Sequence, residues 1–284
     1  IKLFDKSLKD SFVDSIGEIK SINIRKTDYG RDVIITPIDG DNIIINIDKE
    51  NIIRSYINNN VTLIKNKFLY MNLFLEKIDL LNVEIIGNKF LSRNNFVKKI
   101  ELPKVKKIGN NFMDSGHNLE KIIAPQLISI GNYFLFYNRF MKDLYLPSVQ
   151  YIGNDFMFFN TKLENISMDN LKEAGYSFLT TNKCVKELYF PNLMTISNNF
   201  FCNNEVINKV YLPKVEEIGK NFLFENKVLQ ELSLPSVKII GEDFLYFNNV
   251  LNYLYIPEDC TFESSIEYNS SYEKVKNKVK TLKR

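Results

Sequence analysis

The chain has 284 residues, 45% of them hydrophobic and 25% charged, which is an ordinary globular composition with enough apolar material for an extended core. Its formal net charge of +3 is too mild for a general nucleic-acid binder, where a clustered basic face is expected, and no stretch is long and apolar enough to span a bilayer.

In chain order, residues 1–58 are patterned differently from the rest. Ser7 and Asp10 resemble a capping box, and Leu8, Phe12, Ile16 and Ile19 follow helical spacing. Ile22/Ile24, Val33/Ile35 and Ile43/Ile45/Ile47 alternate as strands do, with turn signals at Asp28-Tyr29-Gly30 and Asp39-Gly40. Asp48 is placed to start a second helix through Ile52, Ile53 and Tyr56. The expectation is a small α+β cap over the first coil of the repeat region that begins at Asn59; a separate functional domain is the rival reading.

From Asn59 to Ile256 a 22-residue block recurs nine times, with starts at 59, 81, 103 and so on to 235. The pattern is L-P-x-[VL]-x-x-I-G-x-x-F-[LM]-x-x-N-x-x-L-x-x-L-x-L, as in Leu212 to Leu234. A fixed period of this length predicts a solenoid, because one coil cannot cover its own apolar face and is stable only against neighbours. The closing L-x-L (Leu144/Leu146, Leu188/Phe190, Val210/Leu212, Leu232/Leu234) reads as a short strand whose middle residue points outward, so stacked strands form one parallel sheet. The proline after it borders the strand, since it lacks an N–H donor.

Three further columns complete the coil. The glycines (Gly87, Gly109, Gly131, Gly153, Gly175, Gly219, Gly241) are expected at a turn of positive φ, with Ser197 and Lys65 as exceptions. Phe68, Phe90 and their counterparts through Phe244 form an unbroken stack of core side chains. Asparagines at 72, 94, 138, 160, 182, 204, 226 and 248, interrupted at Gly116, predict a buried amide ladder bonded to backbone of its own turn and the adjacent coil.

These residues resemble the BspA-type, or Treponema-type, leucine-rich repeats over Asn59 to Ile256. Two departures stand out: that subclass usually has alanine before the phenylalanine and cysteine where this chain has asparagine. The resemblance implies a β-rich α/β fold, a right-handed solenoid with its sheet on the inner face, and roles in adhesion or recognition at bacterial or protist surfaces. It implies an extracellular or cell-surface location and a protein partner.

From Glu258 the period fades into residues 257–284, where Tyr272, Val275, Val279 and Leu282 lie on one helical face among lysines. A closing cap is the simpler reading; a basic helix touching acidic lipid or nucleic acid is the alternative.

Catalysis finds little support. His117 is the only histidine and has no cysteine near it in sequence or phase, no His/Cys cluster has metal spacing, and no phosphate loop is present. Cys184 and Cys202 sit on adjacent coils four positions out of phase, poorly placed to bridge, and Cys260 stands alone. No cofactor or small-molecule substrate is expected. The candidate partner-binding residues are the strand exteriors: Tyr145, Tyr189, Tyr211, Tyr253 and Tyr255 toward one end, Lys77, Lys99 and Lys121 toward the other. A competing surface is the loop edge bearing Phe136, Tyr137, Phe158, Phe159, Phe224, Tyr246 and Phe247, which is either exposed or packed between coils. The functional expectation is a non-enzymatic protein-binding scaffold; the alternatives are a spacer displaying another domain, or a basic-tail module.

Overall fold

The computed structural model describes residues 19–263 apart from Asn51, His117 and Asn249. The helix read at Ser7–Ile16, the basic tail and His117 lie outside the described residues, and Ile19 opens a strand. No helix occurs among the described residues; the chain is a β-solenoid of about nine turns preceded by an antiparallel sheet.

That sheet comprises β1 (Ile19–Thr27), β2 (Gly30–Pro37), β3 (Ile43–Asp48) and β4 (Ile53–Ile57), paired antiparallel in order. The three alternating segments form strands, but the helix expected after Asp48 does not. The Asp48 carboxylate does accept backbone N–H bonds from Glu50 and Ile52, each at 2.9 Å, while its own N–H reaches the Ile52 carbonyl at 3.0 Å. The residue therefore closes a tight hairpin instead of capping a helix, a use open to any Asp ahead of a turn. β4 then pairs in parallel with β6 (Lys77–Asp79), which joins the sheet to the first coil.

Each coil carries two short strands, so the structure has two parallel ladders where one was expected. The L-x-L column continues through β8 (Lys99–Glu101), β10 (Lys121–Ile123), β12 (Asp143–Tyr145), β14 (Asn165–Ser167), β16 (Glu187–Tyr189), β18 (Lys209–Tyr211), β20 (Glu231–Ser233) and β22 (Tyr253–Tyr255). Alternating with these, the residues just before the glycine column form a second ladder of ten strands, from β5 (Leu63–Ile64) to β23 (Thr261–Phe262), without a break. The second ladder thus carries the repeat past Glu258, where the sequence period had faded. The first ladder is interrupted between β6 and β8, β10 and β12, and β14 and β16.

A third inter-coil column closes the coil. Around Phe134, the residues Tyr133 (φ 59°), Leu135 (φ 50°) and Tyr137 (φ 62°) are left-handed, and the same three positions repeat in every coil. Their N–H groups alternate in direction: Tyr133 donates to Asn154 O at 2.9 Å, Leu135 back to Phe112 O at 3.0 Å, and Tyr137 to Phe158 O at 3.0 Å. Left-handed non-glycine residues cost about 1–3 kcal/mol each. The conformation binds a coil to both neighbours and turns the consecutive Phe134 and Leu135 side chains both inward, each at 0% exposure.

The phenylalanine column is core throughout, with successive rings 4.7–6.3 Å apart and mostly parallel. The asparagine ladder forms as expected at Asn94, whose Nδ2 donates to Asn72 O (2.7 Å) and Leu75 O (3.1 Å) while Oδ1 accepts from Phe96 N (3.1 Å) and Val97 N (2.9 Å). Farther along it changes: Asn204 Oδ1 accepts the Asn182 N–H at 2.6 Å, from one asparagine to the next.

The repeat glycines do not have positive φ; among the described glycines only Gly30 and Gly40 do. Their reason is close approach. A Cβ on Gly153 would sit 2.3 Å from Asn132 Oδ1 and 2.7 Å from the backbone nitrogen of the same residue, one coil back. The three cysteines are free thiols, and burial pushes the Cys202 pKa up to about 12.

Candidate partner-binding face

Strand alternation turns the middle residues of the first ladder inward (Leu144, Leu188, Val210 and Leu232 are buried) and aims the flanking residues at solvent. All eight candidate residues lie on these flanks, in register at the 22-residue step. Their environments divide the face in two.

The lysine end neutralises itself. Lys77 pairs with Asp79 at 3.3 Å and Lys99 with Glu101, both along one strand, and the hydrogen bond from Lys99 holds the Glu101 carboxyl below its usual range. Exposed pairs of this kind contribute about 0–1 kcal/mol. They leave the surface charged but balanced, so Lys77 and Lys99 are not a basic patch. Lys121 is exposed beside them, opposite Lys99 in the ladder.

The tyrosine end is aromatic and open. Tyr145 is 62% exposed, Tyr189 55% and Tyr211 39%, and the rings of Tyr189 and Tyr211 stack at 5.6 Å with 15° between planes. Tyr253 and Tyr255 are half-buried on the terminal strand. Along the outermost row the side chains read Tyr145, Ser167, Tyr189, Tyr211, Ser233, Tyr255, so two small residues are each flanked by tyrosines.

Where β14 and β16 fail to pair, the face opens into a groove of about 920 Å³. Asp143, Tyr145, Glu164, Asn165, Ser167 and Glu187 line it together with Lys183 and Lys186, with Cys184 and Val206 at its loop side. Ile166 is only half-buried here, unlike its counterparts Leu144 and Leu188. Asn165 Nδ2 donates to Asp143 Oδ1 at 2.7 Å. Lys183 is paired with Glu205 at 3.3 Å. A smaller groove of about 660 Å³ lies at the β6–β8 interruption, against Phe96, Lys98 and Lys99.

The competing loop edge is mostly packed. Phe136, Tyr137, Phe158 and Phe159 are half-buried in one cluster, with Phe136 on Phe158 at 5.2 Å and Tyr137 on Phe159 at 5.2 Å. Phe224 and Tyr246 stack at 5.6 Å, and only Phe247 of the seven is exposed, at 48%. Sequence reasoning missed a different set, six residues after the core phenylalanine in five of the nine coils: Phe74, Phe96, Phe140, Val228 and Val250 are all exposed. Its signal was the 22-residue period itself, which places these side chains in one line beside the first ladder.

Two parallel ladders at a 22-residue step, a buried phenylalanine column and a polar amide column describe a leucine-rich solenoid. A family model described as BspA type leucine rich repeat region matches residues 62–182 and 175–282, in six copies. The chain belongs to the BspA-type leucine-rich repeat family. No curated protein matches it. Among solved structures, the pneumococcal vaccine antigen PcpA is similar at 16% identity over 91% of this chain and 97% of that one, with a TM-score of 0.43. A leucine rich cell surface protein from Faecalibacterium prausnitzii A2-165 is similar at 12% identity over 89% and 88%, with a TM-score of 0.36. Among the described residues no helix is long and apolar enough to cross a membrane, and no group of three or more His, Cys, Asp or Glu is arranged to hold a metal.

Proposed function

We propose that this BspA-type solenoid is a non-enzymatic scaffold that binds a partner protein through the exterior of its first ladder, centred on Tyr145, Tyr189 and Tyr211. The observation that carries the reading is the stacked, exposed Tyr189–Tyr211 pair. Solvent-facing aromatics of this size supply large contact area at low entropic cost and are enriched where binding energy concentrates. Tyr253 and Tyr255 extend the patch, and Lys77, Lys99 and Lys121 form its polar rim. In this reading residues 1–58 cap the first coil, residues 59–256 are the recognition array and residues 257–284 close it. Adhesion or host-protein recognition at a cell surface is the setting carried over from the family resemblance.

The test is an affinity comparison. A partner captured with the intact chain should bind a Tyr189→Ala/Tyr211→Ala variant at least tenfold more weakly, while the thermal midpoint stays within a degree or two because neither ring is buried. Unchanged affinity would remove the first ladder as the binding surface.

A further inference from the structure

One residue per turn, directly ahead of the outward flanks of the first ladder, forms a column that begins at Arg54 of β4 and alternates in charge. It reads Arg54, Glu76, Lys98, Glu120, Lys142, Glu164, Lys186, and then turns neutral at Asn208, Gln230 and Asn252. The backbone bonds along it follow that charge. The N–H groups of Glu76, Glu120 and Glu164 donate to the carbonyls of Arg54, Lys98 and Lys142, each at 2.8 Å, and the neutral end continues from Lys186 to Asn252 at 2.8–2.9 Å. Among the described residues no such bond runs from Lys98 to Glu76, Lys142 to Glu120 or Lys186 to Glu164, and these are the three steps at which the first ladder is interrupted.

Every interruption therefore falls between a glutamate and the lysine that follows it, and no step from a basic residue to a glutamate is open. Arg54 and Glu76 form an ion pair at 3.6 Å and Lys98 and Glu120 one at 3.4 Å, both within bonded steps; among the described residues no ion pair of this column spans an open step. Opposite charges on neighbouring strands attract, but a line of alternating charges that pairs two by two leaves every second step unpaired. The result is a ladder of two-coil units.

The rest of the coil does not open with it. Across the β14–β16 step the second ladder is intact, with the Gly175 N–H on Ile152 O at 2.9 Å, and so is the left-handed column, with the Phe159 N–H on Thr180 O at 3.1 Å. The buried amide ladder is slack here, since Asn160, on the coil of β14, has no partner for either side-chain polar atom. Of the other charges lining the groove, Lys183 is held by Glu205, Asp143 accepts from Asn165, and Glu187 is in phase with neutral Asn165. Glu164 and Lys186 are thus left in phase across the opening, neither in an ion pair among the described residues.

We propose that the three open steps are joints that close. Glutamate and lysine meet, the lysine N–H donates to the glutamate carbonyl, and the continuous second ladder is the fixed edge about which the coils turn. Closing the β14–β16 joint brings Tyr189 beside Ser167 and removes the groove, so charge in this column sets the shape of the tyrosine face. The joint stands whether or not that face binds a partner.

The test is residue-resolved hydrogen exchange of the full chain by NMR, expressed as protection factors, at about 10 mM and about 1 M salt, where charges are screened over roughly 30 Å and 3 Å. Protection of the Lys98, Lys142 and Lys186 amides should be about two- to fivefold higher at low salt, the size of an exposed ion pair, while Asn208, Gln230 and Asn252 stay constant. Glu164→Gln should abolish the response at Lys186 and keep it at Lys98 and Lys142. Lys186→Glu, which sets like charges across the step, should lower protection of that amide at low salt only. Unchanged protection of Gly175 shows that each variant is folded. An amide at position 186 that is unprotected at both salts, one as protected as Asn208 at both, or a salt response that survives Glu164→Gln would overturn the proposal. None of these outcomes touches the tyrosine reading, which the affinity of Tyr189→Ala/Tyr211→Ala decides.

Discussion

The side-chain oxygen of Asn132 accepts the backbone N–H of Asn154 at 2.8 Å, bonding one coil to the next through a solvent-facing amide. The same contact recurs from Asn66 to Asn88, Asn88 to Asn110, Asn110 to Asn132, Asn154 to Tyr176 and Asn198 to Lys220, at 2.7–3.1 Å. This second asparagine ladder explains much of the glycine column. The amide oxygen reaches across the space that a Cβ on the next coil's glycine would fill, at 2.3–2.7 Å for Gly87, Gly109, Gly131, Gly153, Gly175 and Gly219. Gly241 is different: it follows Lys220, which has no side-chain amide, and a Cβ there would meet the backbone of Gly219 and Lys220 at 2.6–2.9 Å, whereas the column's two non-glycine positions fit the amide explanation. Ser197 stands one coil after Tyr176, which has no amide to offer, and Lys65 lies on the first coil of its ladder.

A double-mutant cycle at that break should therefore show coupling. Tyr176→Asn alone gains nothing, because its oxygen meets the Ser197 Cβ, and Ser197→Gly alone costs about 0.5–1 kcal/mol in backbone entropy. Together they should exceed their sum by about 1 kcal/mol in urea unfolding, within the range seen for residues in contact. Additivity within about 0.3 kcal/mol would separate the glycines from the amides.

The buried amide ladder is uneven, and stability should report it. Asn94 has four hydrogen bonds, whereas neither side-chain polar atom of buried Asn160 has a partner. Asn94→Leu leaves backbone groups unpaired and should cost about 1–3 kcal/mol or more, while Asn160→Leu should be neutral or stabilising. Equal losses at both positions in chemical denaturation would contradict the assigned bonding.

Acid should loosen the N-terminal sheet first. Asp32 is held below its ordinary pKa by a hydrogen bond from Asn46 Nδ2 at 2.8 Å and by the Arg25 guanidinium, against an opposing effect of burial. A depressed carboxylate contributes stability that is complete above its unfolded value near 4 and is lost as pH falls through the lower folded value. Hydrogen exchange of β1 and β2 should accelerate below about pH 4, and Asp32→Asn should flatten that dependence. Identical profiles for both proteins would dismiss Asp32 as the cause.

The repeat, the phenylalanine core and the outward row of the L-x-L strand were legible because each recurs nine times at one phase. The second ladder was not, because two residues such as Lys107-Ile108 are too few to show alternation, and the bonds that make them a strand come from other coils. The left-handed positions were hidden for a related reason: Leu135 and Tyr137 carry no glycine or asparagine signal, and inter-coil hydrogen bonds impose the conformation. Asn88 and Asn110 gave no signal of their own, because the backbone N–H groups their amide oxygens accept, those of Asn110 and Asn132, lie on the neighbouring coil. Among the binding residues, exposure of Tyr189 and Tyr211 followed from alternation, whereas the pairing of Lys77 and Lys99 with carboxylates on their own strands depended on rotamers that spacing does not determine.

The most direct measurement is hydrogen–deuterium exchange of the chain alone and saturated with its captured partner. Protection should concentrate on residues 143–145, 165–167, 187–189 and 209–211 and leave the second ladder unchanged. Protection confined to the second ladder, or to the loop edge around Phe136 and Phe158, would contradict recognition by the tyrosine face.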